Sequence, residues 1–285
     1  MQYTYLTQEL IDSFIDNALI EDVGDGDHTS LASIPAGKMG KAQLILKDEG
    51  ILAGIIIAER IFERVDPTLE VKVNMQDGES FTHGQIALTV SGSVHAILIA
   101  ERLVLNTMQR MSGIASYTHY LQSLISHTKA KVLDTRKTTP NFRMLEKWAV
   151  KIGGGVNHRY GLFDMILLKD NHVDYSGGVK NALKNSKEYV QKSNKDLKIE
   201  IETRSLKEVK EALEEGGAFR IMLDNMSPAL MKEAVELINH TVETEASGGI
   251  NEHSIIAVAE SGVDYISIGS LSHSYKSKDM SLKAF

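Results

Sequence analysis

The sequence contains no cysteine. That removes disulfides, a thiolate nucleophile and Cys-ligated metals at once, and it fits a reducing compartment. Proline is scarce, four residues in 285, and no Pro-rich or low-complexity stretch marks a loose linker. Long apolar runs are also missing. The longest, 50–58, falls far short of the roughly 20 residues a bilayer-spanning helix needs, so no membrane association is expected. Met1 to Leu6 carry neither a basic nor an apolar segment; no signal peptide is expected, and the expected location is cytoplasmic. A positive balance is absent too: the formal net charge is −7, which speaks against a nucleic-acid partner.

Against that acidic background one stretch stands out. From Lys131 to His172, eight Lys or Arg residues face four Asp or Glu, a local net charge of +4, with His158 and His172 in addition. The stretch is punctuated by Gly153-Gly154-Gly155. Cations gathered beside glycines in an otherwise acidic chain indicate a small, multiply anionic ligand.

Periodicity divides the chain in two. The first part reads as mixed α/β: an amphipathic helix over 7–20 with Thr7 as N-cap, a turn-rich 22–27, strands at 40–47, 69–73 and 85–91, and helices at 55–63 and 96–111. Beyond it the pattern alternates. Strands are expected at 130–133, 164–168, 197–201, 220–223, 242–244 and 265–268, with helices at 141–151, 179–192, 205–215, 228–239 and 252–261. Parallel βα units follow, and six strands without the Gly-rich fingerprint of a dinucleotide fold predict an open, incomplete barrel. The expected division is an N-terminal α/β domain over 1–110, the barrel over 111–270, and a tail, 271–285, packing back on the N-terminal domain.

Each predicted barrel strand ends in polar groups or glycine: Asp134, Arg136 and Lys137; Lys169 and Asp170; Glu202; Asp224 and Asn225; Glu245, Ser247, Gly248 and Gly249; Gly269 and Ser270. In βα barrels these ends share the catalytic face. Ser247-Gly248-Gly249 followed by Gly269-Ser270 has the spacing of a phosphate cup, where glycine lets backbone N–H groups approach an oxyanion. Arg136, Lys137, His158, Arg159 and Lys169 supply a second anion site. Glu202 and Asp224 suit ribose hydroxyls, hydrated Mg²⁺ or a developing cation, and equally the neutralisation of Lys137 or Lys169. Glu200 shares Glu202's strand face, so either could point at the site. Arg143, Glu146, Lys147 and Lys151 recur at helical spacing and read as a solvated face, whereas Met144 and Trp148 read as core.

Longer motifs carry a resemblance. Glu21-Asp22-Val23-Gly24-Asp25-Gly26-Asp27, Glu101-Arg102, 109–115, Asp134-Thr135-Arg136-Lys137-Thr138-Thr139-Pro140, Asn157-His158-Arg159, Leu168-Lys169-Asp170-Asn171-His172, 199–202, 222–228, 245–250 and 269–274 resemble the quinolinate phosphoribosyltransferases (nicotinate-nucleotide pyrophosphorylases, carboxylating). The resemblance spans essentially the whole chain. It implies a sandwich-like N-terminal α/β domain joined to an open βα barrel, in a homodimer with shared active sites. It further implies that quinolinate and phosphoribosyl pyrophosphate are the substrates, with Mg²⁺ and without a prosthetic group.

By match of motif, Arg102 reaches quinolinate from the neighbouring subunit, and Arg136, His158 and Arg159 bind its carboxylates. Lys137 and Lys169 flank the reacting groups; Glu202 and Asp224 face ribose and Mg²⁺, the metal through water. Ser247, Gly248, Gly249, Gly269, Ser270 and His273 hold the 5-phosphate. Asn141, Arg204 and Ser270 depart from the family pattern. Two other readings stay open from the residues alone: a Schiff-base lyase using Lys169, and a non-catalytic anion-binding protein.

Overall fold

A computed structural model describes residues 5–285; most of the N-terminal segment tested for a signal peptide, Met1 to Thr4, lies outside the described residues. In chain order the elements are α1 (Gln8–Val23), α2 (His28–Ser33), β1 (Met39–Leu46), β2 (Gly50–Ile51), α3 (Ile55–Val65), β3 (Glu70–Val73), β4 (Ser80–Phe81), β5 (Ile86–Ser93), α4 (Val94–Leu124), β6 (Lys131–Leu133), α5 (Arg143–Ile152) and β7 (Ile166–Leu168). There follow α6 (Asp170–Tyr175), α7 (Val179–Ser193), β8 (Ile199–Thr203), α8 (Leu206–Glu215), β9 (Arg220–Asp224), α9 (Pro228–Ile238), β10 (Glu243–Ser247), α10 (Ile255–Glu260), β11 (Tyr265–Ser267), α11 (Ser270–His273) and β12 (Met280–Ala284). Two compact units emerge. The first runs to His119 and takes in Thr138–Gly154 and Ser272–Phe285; the second comprises Tyr120–Lys137 and Gly155–Leu271.

The first unit is built on an antiparallel sheet of order β12-β1-β5-β3. Thr7 caps α1 by accepting from the Leu10 amide, as its position before the first apolar turn predicts. On α3 the spacing of Ile55, Ala58, Ile61 and Phe62 makes one fully buried stripe. On its other side Arg60 and Arg64 donate paired hydrogen bonds to Asp12 and Asp16 of α1. Helix α5 corrects the solvated-face expectation. Glu146 and Lys147 are buried, at 0 % and 1 % exposure. Glu146 accepts from Arg110, which also lies against the Phe142 and Tyr275 rings, and from the Thr139 amide. Helical spacing locates a polar residue but not its partners; Met144 and Trp148 are core as expected.

The second unit is a parallel sheet of order β6-β11-β10-β9-β8-β7. Its edge strands β6 and β7 do not pair, so the barrel is open. Period-two alternation sorts its side chains. Ile199, Ile201, Ile221, Leu223, Ala246 and Ile266 form the apolar set, all buried. Glu200 and Glu202 share the opposite face with Arg220 and Asp224 and with Glu243, Glu245 and Ser247, because paired residues of parallel strands point the same way. The barrel therefore carries a charged face, and the strand ends sit above it.

Candidate active site

Loop chemistry fixes the basic residues. Asp134, at the end of β6 and 1 % exposed, accepts from the Asn157 side chain and the His158 amide, which pins the Asn157-His158-Arg159 turn. The Arg159 amide donates to His158 Nδ1 at 2.7 Å. That nitrogen must be unprotonated, so the ring proton sits on Nε2, which faces Glu200 at 3.1 Å. Both ring nitrogens of His158 are thus turned to the protein. Arg159 is half-buried, and its guanidinium donates to the Met165 carbonyl. Burial and the neighbouring Arg136 hold it below its usual range. A second cation whose field reaches Arg159 suits an anionic ligand here.

Lys169 caps α6, its amide donating to His172 Nδ1. Opposite it, burial and the nearby Asp224 and Asp170 push Glu202 up to about 7, while Lys169 opposes the shift. Asp224 accepts from Ser247 Oγ and Asn225 Nδ2. A carboxylate pair whose mutual repulsion is only partly relieved by one lysine suits a hard divalent cation, so Glu202 and Asp224 fit Mg²⁺. Arg204 leaves that electrostatics intact, because it binds Asp174 and Glu208 instead. Glu200 lies one layer below, fully buried; Glu202 is the member of the pair at the strand end.

Among the phosphate-cup residues, Gly248 and Gly249 have φ +101 and +61. A Cβ on Gly248 would collide with the Asn225 side chain, so only glycine fits that close approach. Ser247 spends its hydroxyl on Asp224, and its carbonyl accepts from the Asn225 amide. Gly269 precedes α11, and Ser270 Oγ, the departure from alanine, is buried without a hydrogen-bond partner. Asn141, the departure from glycine, adopts φ 62, a left-handed conformation that asparagine tolerates. Arg136, Lys137, His158, Arg159, Lys169, Glu202, Asp224, Ser247, Gly248, Gly249, Gly269 and Ser270 all belong to the second unit. Arg102, exposed on α4, and His273 belong to the first unit.

Sequence reasoning named Glu200 and Glu245 without placing them below the mouth, and missed Arg220 and Glu243. Arg220 donates to Glu243 and Glu245, and His158, Glu200 and Glu245 place their ligand-type atoms within 4.8 Å of one another. A signal existed: Glu200, Arg220, Glu243 and Glu245 stand at alternate positions in runs otherwise apolar or small.

Fold and strand-end chemistry together define a βα-barrel enzyme of polyanionic substrates. Residues 27–112 match the family model described as quinolinate phosphoribosyl transferase, N-terminal domain, and residues 114–283 match its C-terminal domain. The chain belongs to the quinolinate phosphoribosyltransferase family. It is 47 % identical over 281 residues, 93 % of this chain and 80 % of the relative, to the chloroplastic nicotinate-nucleotide pyrophosphorylase [carboxylating] of Arabidopsis thaliana. It is 39 % identical over 268 residues, 94 % and 91 % of the two chains, to the probable enzyme of that name from Bacillus subtilis. The solved nicotinate-nucleotide pyrophosphorylase of Francisella tularensis superposes with TM-score 0.92 at 35 % identity, covering 98 % of each chain. Among the described residues no helix is long and apolar enough to cross a membrane.

Proposed function

We propose that the protein transfers a phosphoribosyl group from phosphoribosyl pyrophosphate to quinolinate with decarboxylation, forming nicotinate mononucleotide, pyrophosphate and carbon dioxide in NAD biosynthesis. The observation that carries this reading is the set of charged groups at the barrel's strand ends: Arg159 in the turn that Asp134 pins, and Glu202 and Asp224 at the ends of β8 and β9. A vicinal dicarboxylate offers one carboxylate to each of the Arg136 and Arg159 guanidiniums, which a monocarboxylate does not.

Arg136 and Arg159 orient the dicarboxylate so that its ring nitrogen faces the ribose. The nitrogen lone pair forms the new bond to the ribose carbon as the bond to pyrophosphate breaks, its electrons leaving with pyrophosphate. Positive charge develops on the ribose, where Glu202 and Asp224 stabilise it. Lys137 and Lys169 neutralise the departing oxygens. Mg²⁺, when bound with the substrate near Glu202 and Asp224, supplies Lewis-acid stabilisation of the pyrophosphate. Backbone amides of Gly248, Gly249 and Gly269 and the Ser270 hydroxyl hold the 5-phosphate. The alkylated pyridinium then accepts the electron pair of the carbon–carboxylate bond, carbon dioxide departs, and that carbon takes up a proton. This last sequence needs no prosthetic group.

Arg102 lies on the first unit yet matches the family's substrate-binding motif. We assign it to the site of a neighbouring subunit in a homodimer. The location we assign is the cytoplasm. Incubation with quinolinate, phosphoribosyl pyrophosphate and Mg²⁺ tests the reading: nicotinate mononucleotide should accumulate, and borohydride should trap no adduct on Lys169. Trapping at Lys169 without nucleotide product would favour a lyase.

A further inference from the structure

Beneath the proposed carboxylate site lies a buried chain of ionisable groups that the reaction scheme does not use. Arg220, on β9, donates to Glu245 of β10 at 3.0 Å and lies 3.8 Å from Glu200 of β8. Glu200 and Glu245 approach His158 Nε2 at 3.1 and 3.5 Å. Both carboxylates are completely buried, and the Arg220 and His158 side chains are 9 % and 6 % exposed. Arg220 is fixed further by Glu243 at 2.8 Å and by the Tyr265 ring, 4.2 Å from its guanidinium carbon.

A divalent cation among His158, Glu200 and Glu245 would have to share the space with this guanidinium, which already compensates the acids. The cluster is better suited to hold the imidazole. His158 in turn receives the Arg159 amide on its other nitrogen. An uninterrupted set of contacts thus runs from strands β9 and β10 to the backbone of the residue that meets the substrate.

We propose that Glu245 is a positioning residue for quinolinate: through His158 it fixes the Arg159 backbone, and so sets the guanidinium pair that selects a vicinal dicarboxylate. This rests on the function proposed above. The Glu200 and Glu245 carboxylates lie within 4.8 Å of one another and of the His158 ring nitrogen. An amide at position 245 keeps the length of the acid and still presents an oxygen that accepts from Arg220. A side chain one methylene shorter keeps the acid but retreats from His158.

The experiment compares Glu245→Gln, Glu245→Asp and Glu245→Ala with the unsubstituted protein. The readouts are KM for each substrate, kcat, and calorimetric binding of benzene-1,2-dicarboxylate, which has both carboxylates but no ring nitrogen to react. Glu245→Gln should keep KM for quinolinate within about twofold, and Glu245→Asp should raise it roughly fivefold or more. Glu245→Ala should raise it further, with parallel weakening of the dicarboxylate. KM for phosphoribosyl pyrophosphate should move by less than about twofold throughout. Unchanged quinolinate KM in the Asp variant, or equal rises for both substrates, would overturn the proposal, and the Asp variant decides the matter if the Ala variant does not fold. Absence of nucleotide product from the unsubstituted protein would instead overturn the function on which the proposal rests.

Discussion

At the scale of single residues, the acids divide by depth. Glu202 and Asp224 stand at strand ends, and in the proposed reaction they act chiefly on the charge that grows as the ribose bond breaks. Glu202→Ala or Asp224→Ala should therefore lower kcat on the order of 100-fold or more while both KM values change by only a few-fold; steady-state kinetics on each variant checks this, and a rise confined to KM would reassign them to ground-state binding. Glu245 lies deeper, and burial together with Glu200 pushes it up to about 8. Between the ordinary carboxylate value and about 8 the folded state binds a proton that the unfolded chain has released. Its contribution to stability is present at low pH and is lost as pH rises through that span. Glu245→Gln cannot ionise, so its melting temperature relative to the unsubstituted protein should climb from pH 5 to pH 8 and then level off. Thermal melts across that range test the sign, and a constant difference would mean that Glu245 is ionised in the folded protein.

At the scale of elements, the βα alternation and the strand ends were legible because both follow from short-range pattern. All six barrel strands form where period-two runs and turn signals place them. Helix α4 runs on to Leu124, past the expected end near 111, because Gly113 is no stop here: a Cβ there would meet the Lys276 carbonyl at 2.5 Å. Strand β12 was invisible because Met280–Ala284 is brief, and its register on β1 is set by a partner more than 200 residues away in sequence. The depths of Glu200 and Glu202 were illegible for a related reason: alternation assigns a face, and only the neighbouring strands assign a layer. The Ser247–Gly249 turn was legible through its glycines, and it gives a direct test. Gly248→Ala puts a Cβ against Asn225 at a φ that alanine resists. It should raise KM for phosphoribosyl pyrophosphate about tenfold or more and leave binding of benzene-1,2-dicarboxylate nearly unchanged; substrate kinetics and calorimetry report the two effects separately.

At the scale of the whole molecule, the assignment of Arg102 to a neighbour's site predicts complementation. Arg102→Ala and Lys137→Ala should each be nearly inactive alone and regain activity when mixed, since in a mixed dimer one site carries both defects and the other neither. Activity that stays lost despite demonstrated subunit exchange would place Arg102 in its own chain's site. The central claim is broader: one barrel face binds a dicarboxylate through Arg136 and Arg159, joins it to ribose and discards one carboxylate as carbon dioxide. Isotope-labelled quinolinate, with the label in the carboxylate adjacent to the ring nitrogen, tests it most directly. With phosphoribosyl pyrophosphate and Mg²⁺ the account predicts one labelled carbon dioxide for each nicotinate mononucleotide formed, and little turnover of nicotinic acid in place of quinolinate. Comparable turnover of nicotinic acid, or nucleotide that retains the label, would contradict it.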